Sequence, residues 1–207
     1  MCYYTQQNAS IEDLKRRFNA ELDNEETYLQ SDFINGFSHP NIPVILDTSP
    51  KLITTDYSWG LIPSWAKDED FRKNTLNARI ESIEEKPSYK DITHKRCLII
   101  ASAYYEWHWN DPLGKSKNKY QINSQEDQIF TFAGLYASWT SPITGEIKNT
   151  YTMVTTKANK IMDYVHNHKH RMPIMLKKHD ESAWLDQSVK MEDFAFPYEG
   201  NLIAFQV

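Results

Sequence analysis

Cysteine is nearly absent from this chain, with two among 207 residues, Cys2 at the start and Cys97 inside an apolar run. Settings so unlike exclude a disulfide framework. No spaced Cys/His pair and no His-Glu-x-x-His occurs, so the sequence offers no pattern for a metal site. It has no apolar run of about 18 residues, no positively charged start leading into an apolar stretch and no lipidation signal. A cytoplasmic chain without a membrane span is therefore expected. Positive charge is in deficit, 23 Lys plus Arg against 28 Asp plus Glu for a net −5. That argues against a protein gripping nucleic acid over its whole surface and leaves only local basic patches. Neither an internal repeat nor a low-complexity linker appears, so the expectation is one domain spanning 1–207, monomeric, with a substantial core.

Ser10 stands as a capping hydroxyl before Ile11, Leu14, Phe18 and Leu22, whose spacing predicts a helix from about Ile11 to Leu22. Short β-rich runs predict strands at Val44 to Leu46, Lys51 to Thr55, Cys97 to Tyr105, Lys119 to Ile122, Ile129 to Ala133 and Tyr151 to Thr156. Asn110 to Ser116 and Ser141 to Gly145 read as hairpin loops, and helices return at Ala158 to Val165 and Asp180 to Leu185. The fold class expected is α+β, a mainly antiparallel sheet or open barrel with peripheral helices.

Cys2 lies directly behind the initiator methionine and is small enough for that methionine to be removed, which would leave an α-amine and a thiol on one residue. Such a pair attacks an aldehyde twice, the amine giving an imine and the sulfur closing a thiazolidine. An α-amine pKa of roughly 7.7 to 8.0 leaves about a fifth to a third of it neutral at pH 7.4. The thiol, near about 8.5 if unperturbed, supplies some thiolate and more beside a base. Cys97 reads as a buried strand residue.

Other candidates keep two readings each. Glu106, between Tyr105 and Trp107, is either a buried carboxyl with a raised pKa able to donate and accept protons, or an edge-strand carboxylate facing solvent. The run Asn77-Ala78-Arg79 either holds an amine or hydroxyl and clamps a phosphate, or starts a solvated helix. His166, His168, Lys169, His170 and Arg171 form either a proton-shuttling and phosphate-binding group or a solvated basic loop. Trp65, behind Pro63, is the aromatic expected to stack on a nucleobase.

Taken in order, Cys2, Trp59 to Trp65, Asn77-Ala78-Arg79, Arg96-Cys97-Leu98 leading to Tyr105-Glu106-Trp107, Phe132 to Tyr136, Thr155-Thr156 and Arg171-Met172-Pro173 resemble the SRAP family, the SOS response-associated peptidases understood as abasic-site processing proteins. The resemblance covers nearly the whole chain. It implies a single SRAP domain acting in DNA repair that binds single-stranded DNA and captures a ring-opened abasic deoxyribose on Cys2. It also implies Asn77, Glu106 and His166 as catalytic partners, with His168 and His170 as alternatives to His166. Asn35, Arg79 and Arg171 fall at family positions beside the site or the DNA phosphates. Tyr3-Tyr4 replaces a usual Gly-Arg, Lys169 stands where a histidine is common, and Ser102-Ala103 replaces a small pair, a change expected to alter only a turn.

The chemistry implied needs no metal or organic cofactor. Its side reactions are abasic-site lyase cleavage and reversal of the crosslink, and its binding is sequence-independent and salt-sensitive. Two other readings are a thiol peptidase using Cys2 and a non-catalytic single-stranded DNA-binding module.

Overall fold

Every residue of the strand Arg96–Ala101 is buried, because it packs on both faces. In this computed structural model, which describes residues 2–207, Leu98 and Ile100 point into a core with Leu14, Ile53, Ala133 and Trp184. Cys97, Ile99 and Ala101 point into another, with Trp59, Phe132, Met153 and Cys2. The two-residue period of a strand alone divides these side chains between the cores. Fully burying a residue such as Ile99 or Ile100 contributes about 1.5–3 kcal/mol.

Arg96–Ala101 lies near the middle of the larger sheet. On one side come Phe130–Thr140, Ile147–Lys157 and Arg171–Pro173; on the other come Val44–Leu46, Leu52–Thr54 and Glu21–Leu22. Asn77–Arg79 joins this sheet in parallel beside Met153 to Thr155. The smaller sheet has five strands in the order Leu202–Gln206, Lys117–Ser124, Ala103–Trp109, Tyr4–Gln7 and Ser31–Asn35. Most pairings are antiparallel and the helices Ile11–Phe18, Lys160–Val165 and Lys178–Leu185 are peripheral, as the α+β expectation had it. No helix among the described residues is long and apolar enough to cross a membrane.

Two departures from the sequence expectation have clear causes. The first helix stops at Phe18, not Leu22, because Asn19 takes the left-handed conformation (φ 47°) and its N–H closes on Lys15 O. Leu22 is buried instead through a short strand parallel to Leu52 and Ile53. The strand expected from Cys97 to Tyr105 is two strands, broken at Ser102. There the Ser102 N–H donates to Gln6 O and its hydroxyl donates to Asn8 Oδ1, so the chain leaves the large sheet for the small one. Ser102-Ala103 is thus the crossover that delivers Glu106 beside the N-terminal strand, which is more than an altered turn. The two later helices begin at Lys160 and Lys178 rather than at Ala158 and Asp180.

Candidate active site

The N-terminal strand runs antiparallel to Ala103–Trp109, with Tyr4 opposite Tyr105. Stepping back from Tyr4 therefore takes the chain alongside Glu106. Cys2 is fully buried between the sheets, and its Sγ–H donates to Tyr4 O at 3.5 Å. From the large sheet, Asn77 Nδ2 donates to the Cys2 carbonyl at 2.8 Å. Gly36 N–H donates to Tyr3 O at 2.8 Å from the other flank. The first described residues are therefore fixed through their backbone by both sheets. Asn77 Oδ1 is buried and has no hydrogen-bond partner among the described residues, leaving an acceptor free beside Cys2.

Glu106 is buried in mid-strand, within Ala103–Trp109, which favours the first of its two sequence readings. Burial raises its carboxyl from 4.5 to about 7, because desolvation penalises the charged form. His166 caps the C-terminus of Lys160–Val165 and is also buried. Its Nδ1 lies 2.7 Å from Arg171 O. A carbonyl can only accept, so Nδ1 carries the proton and Nε2 presents a lone pair. That Nε2 is 3.8 Å from Glu106 Oε2. Burial lowers the imidazole from 6.5 to about 4. Near neutrality the pair is a carboxyl poised about its midpoint beside a neutral imidazole.

The Cys2 thiol does not follow the sequence expectation of enrichment in thiolate. Burial, with the nearby Glu106 charge adding to it, pushes its pKa well above the ordinary value. It is a protonated thiol at neutral pH. Tyr3, Tyr4, Glu106, Trp107, Lys169 and His166 border a cleft of about 280 Å³. A larger cleft of about 460 Å³ lies around Ser10, Arg17 and Ile129, away from the carboxyl–imidazole pair, and the buried Cys2 thiol borders neither cleft.

The remaining expected residues fall into different places. His168 stacks on Trp109, with ring centroids 3.6 Å apart and planes 6° from parallel. His170 is exposed and pairs with Asp163. Of the three histidines, His166 is the one beside Glu106. Asn35 is exposed at the end of the strand paired with Tyr4, and its Oδ1 accepts from Phe37 N–H. Arg79 is exposed two residues past Asn77, near enough to Tyr3 to act on its phenol electrostatically.

Two of the residues expected to meet DNA are engaged within the protein. Arg171 was expected at the DNA phosphates, but its guanidinium is buried and bound to both oxygens of Glu81 and to Thr155 O. Its carbonyl accepts from His166 Nδ1. Trp65 is half-exposed, but it packs on Phe71 and donates to Pro87 O, outside the residues that border the cleft. Sequence reasoning gave no role to Asn167, whose amide accepts from Trp109 N–H and donates to Trp109 O, both at 2.9 Å. This clamp ties the His166 loop to the Glu106 strand. An asparagine directly after the histidine was the signal, since a side-chain carboxamide can mimic a strand's donor and acceptor together.

Geometry and fold together define an α+β protein whose Cys2 is buried near a carboxyl–imidazole pair. The chain matches the family model described as SOS response associated peptidase (SRAP) over residues 1–207. It belongs to the SRAP family. A Bacillus subtilis relative named abasic site processing protein YoqW is 40% identical over 155 residues, covering 72% of this chain and 66% of that protein. The chicken protein named abasic site processing protein HMCES is 33% identical over 163 residues, covering 67% of this chain and 46% of its own length. These alignments thus span less than two thirds of either relative's length. A solved Bacteroides thetaiotaomicron protein superposes with a TM-score of 0.89 at 33% identity, covering 100% of this chain and 92% of that one.

Proposed function

We propose that this chain processes abasic sites in single-stranded DNA by forming a covalent thiazolidine between Cys2 and the ring-opened deoxyribose. The observation that carries the reading is the placing of Cys2 within one buried cluster with Asn77, Glu106 and His166. Relatives that carry the name abasic site processing protein support the choice of substrate.

The reaction begins once Met1 is removed. The neutral α-amine of Cys2 adds to the sugar aldehyde carbon, forming a C–N bond and a carbinolamine. Protonated Glu106 then gives its proton to the departing hydroxyl, water leaves, and a protonated imine forms. Next the C–S bond closes on the imine carbon while the thiol proton passes to the Glu106 carboxylate, directly or by way of His166 Nε2, which leaves a neutral thiazolidine and restores the acid. A pKa near 7 suits Glu106 to both directions of transfer. Asn77 Oδ1 accepts from the amine and sets the direction of its lone pair. The imine can instead lose the 3′ phosphate by β-elimination, which makes weak lyase cleavage the competing outcome when ring closure is slow. The same groups serve reversal.

The electrostatics weigh against a thiol peptidase. Such an enzyme needs a thiolate stabilised by an imidazolium. Here burial drives the thiol pKa up and the imidazole pKa down. Ring closure on an imine carbon, a stronger electrophile than an amide, tolerates a thiol that stays protonated until attack.

The test is a denaturing gel with abasic single-stranded oligonucleotide. The wild-type chain should give a covalent band that Cys2→Ala abolishes. An undiminished band from Cys2→Ala would defeat the assignment.

A further inference from the structure

Strand periodicity puts Tyr105, Trp107 and Trp109 on the face of the small sheet opposite Tyr104 and Glu106. Across that outward face the aromatics form a continuous row. Tyr4 stacks on Phe33 with centroids 5.0 Å apart and planes at 25°. It also meets the Trp107 edge at 4.8 Å. Trp109 continues the row with His168 laid on its ring. Phe33 is 45% exposed, and Tyr4, Trp107 and Trp109 are half-buried rather than covered.

Two cations border the row. The register pairs Lys117 with Trp109 and Lys119 with Trp107. Lys117 Nζ sits 4.5 Å from the Trp109 ring centroid. Lys119 Nζ sits 5.2 Å from that of Phe33 and 5.1 Å from that of Tyr105. Two residues apart on one strand, the lysines are spaced by about 7 Å. In a chain of net charge −5, cations on an aromatic face are a local feature, not the spill-over of a basic protein. The face is also continuous with the cleft, because Tyr4, Trp107, Trp109 and Lys117 border both.

We infer that this outward face is a track for the unpaired strand flanking the abasic nucleotide, with bases stacked on Phe33, Tyr4 and Trp107 and phosphates met by Lys117 and Lys119. Aromatic faces hold any base, and lysines hold any phosphate, so the track is indifferent to sequence. It needs unpaired bases, since a duplex hides their faces. The inference rests on the proposed abasic-site reading for its location, but binding of undamaged strand tests it separately.

Fluorescence anisotropy with an undamaged, labelled oligothymidylate, titrated over a range of salt, provides the experiment. The double variant Lys117→Gln, Lys119→Gln should flatten the slope of log affinity against log salt by about 1.4, about 0.7 per lost single-strand contact. Phe33→Ala should weaken binding by about 5- to 100-fold at an unchanged slope, because it removes stacking and no charge. Thermal unfolding of each variant verifies that the fold is kept, as all three side chains reach solvent. Unchanged affinity and slope in folded variants would overturn the track, as would equal affinity for the matching duplex. If the wild-type chain binds the oligonucleotide but forms no adduct with its abasic form, the proposed chemistry fails and the track still stands or falls by the binding data.

Discussion

Cys2 and Cys97 are both fully buried and belong to the same core between the sheets, and burial pushes both thiol pKa values upward. What surrounds them differs. Cys97 lies inside a central strand of the large sheet, its sulfur so close under Gly134 that a Cβ there would stand 2.7 Å from it. Cys2 lies where the small sheet meets the large one, with Asn77 on its carbonyl and Glu106 acting on its thiol. Burial alone makes a cysteine a small apolar residue. In the proposed reaction, reactivity at Cys2 comes from company: an amine on the same residue once Met1 is gone, and groups that can move protons beside it.

Exchanging the two cysteines breaks this comparison most sharply. Cys2→Ala should abolish the covalent adduct on denaturing gels. Cys97→Ala should leave the adduct intact and lower stability by about 1–2 kcal/mol in urea unfolding, from lost burial and a small cavity. Loss of the adduct from a folded Cys97→Ala would show that the two thiols are not separate in role.

The next largest effect concerns Glu106, the buried carboxyl whose charge acts on Cys2. Glu106→Gln should slow adduct formation by about 10²- to 10⁴-fold, measured as single-turnover rates. In the wild type the rate needs a neutral amine and a protonated Glu106, so its pH profile should be a bell that peaks between about 7 and about 8 and falls on its alkaline limb as Glu106 stays deprotonated. Gln cannot titrate, and that limb should disappear.

Stability against pH sharpens the same point. The folded chain holds the Glu106 proton more tightly than the unfolded one, so the associated stability is fully present below about 4.5 and is lost as pH rises through about 7. His166 has the opposite sign, its stability being lost as pH falls from 6.5 through about 4. Relative to the wild type, Glu106→Gln should gain on the order of 3 kcal/mol between pH 4.5 and 8 in urea unfolding, since one pKa unit corresponds to about 1.4 kcal/mol. A constant difference would place Glu106 in contact with water. The smallest effect belongs to Asn77→Ala, which removes the hydrogen bond to the Cys2 carbonyl. It should slow adduct formation about 10-fold, in line with an orienting bond worth about 1–1.5 kcal/mol.

The large sheet was well marked in the sequence because both its faces are apolar: the β-rich runs at Val44 to Leu46 and Tyr151 to Thr156 lie within observed strands. The small sheet was harder to read. Its join to the large one at Ser102 depends on hydrogen bonds to Gln6 and Asn8, almost a hundred positions away in the chain, which no local pattern carries. Missing that join made one strand of two and hid the alternation of Tyr105, Trp107 and Trp109. Cys2, Asn77, Glu106 and His166 were picked out by residue type and family resemblance. Their meeting depends on the two sheets closing on each other. The burial of Arg171 was hidden for a related reason: an arginine in a basic run looks exposed, and its pairing with Glu81 is tertiary.

The central claim is that nitrogen and sulfur of one residue act together, and intact-protein mass spectrometry tests it most directly. After incubation with an abasic oligonucleotide, the chain lacking Met1 should yield one species whose mass equals protein plus DNA minus one water, stable without a reducing agent. The same chain with its α-amine acetylated should yield none. An equal yield of adduct from the acetylated chain would contradict the account.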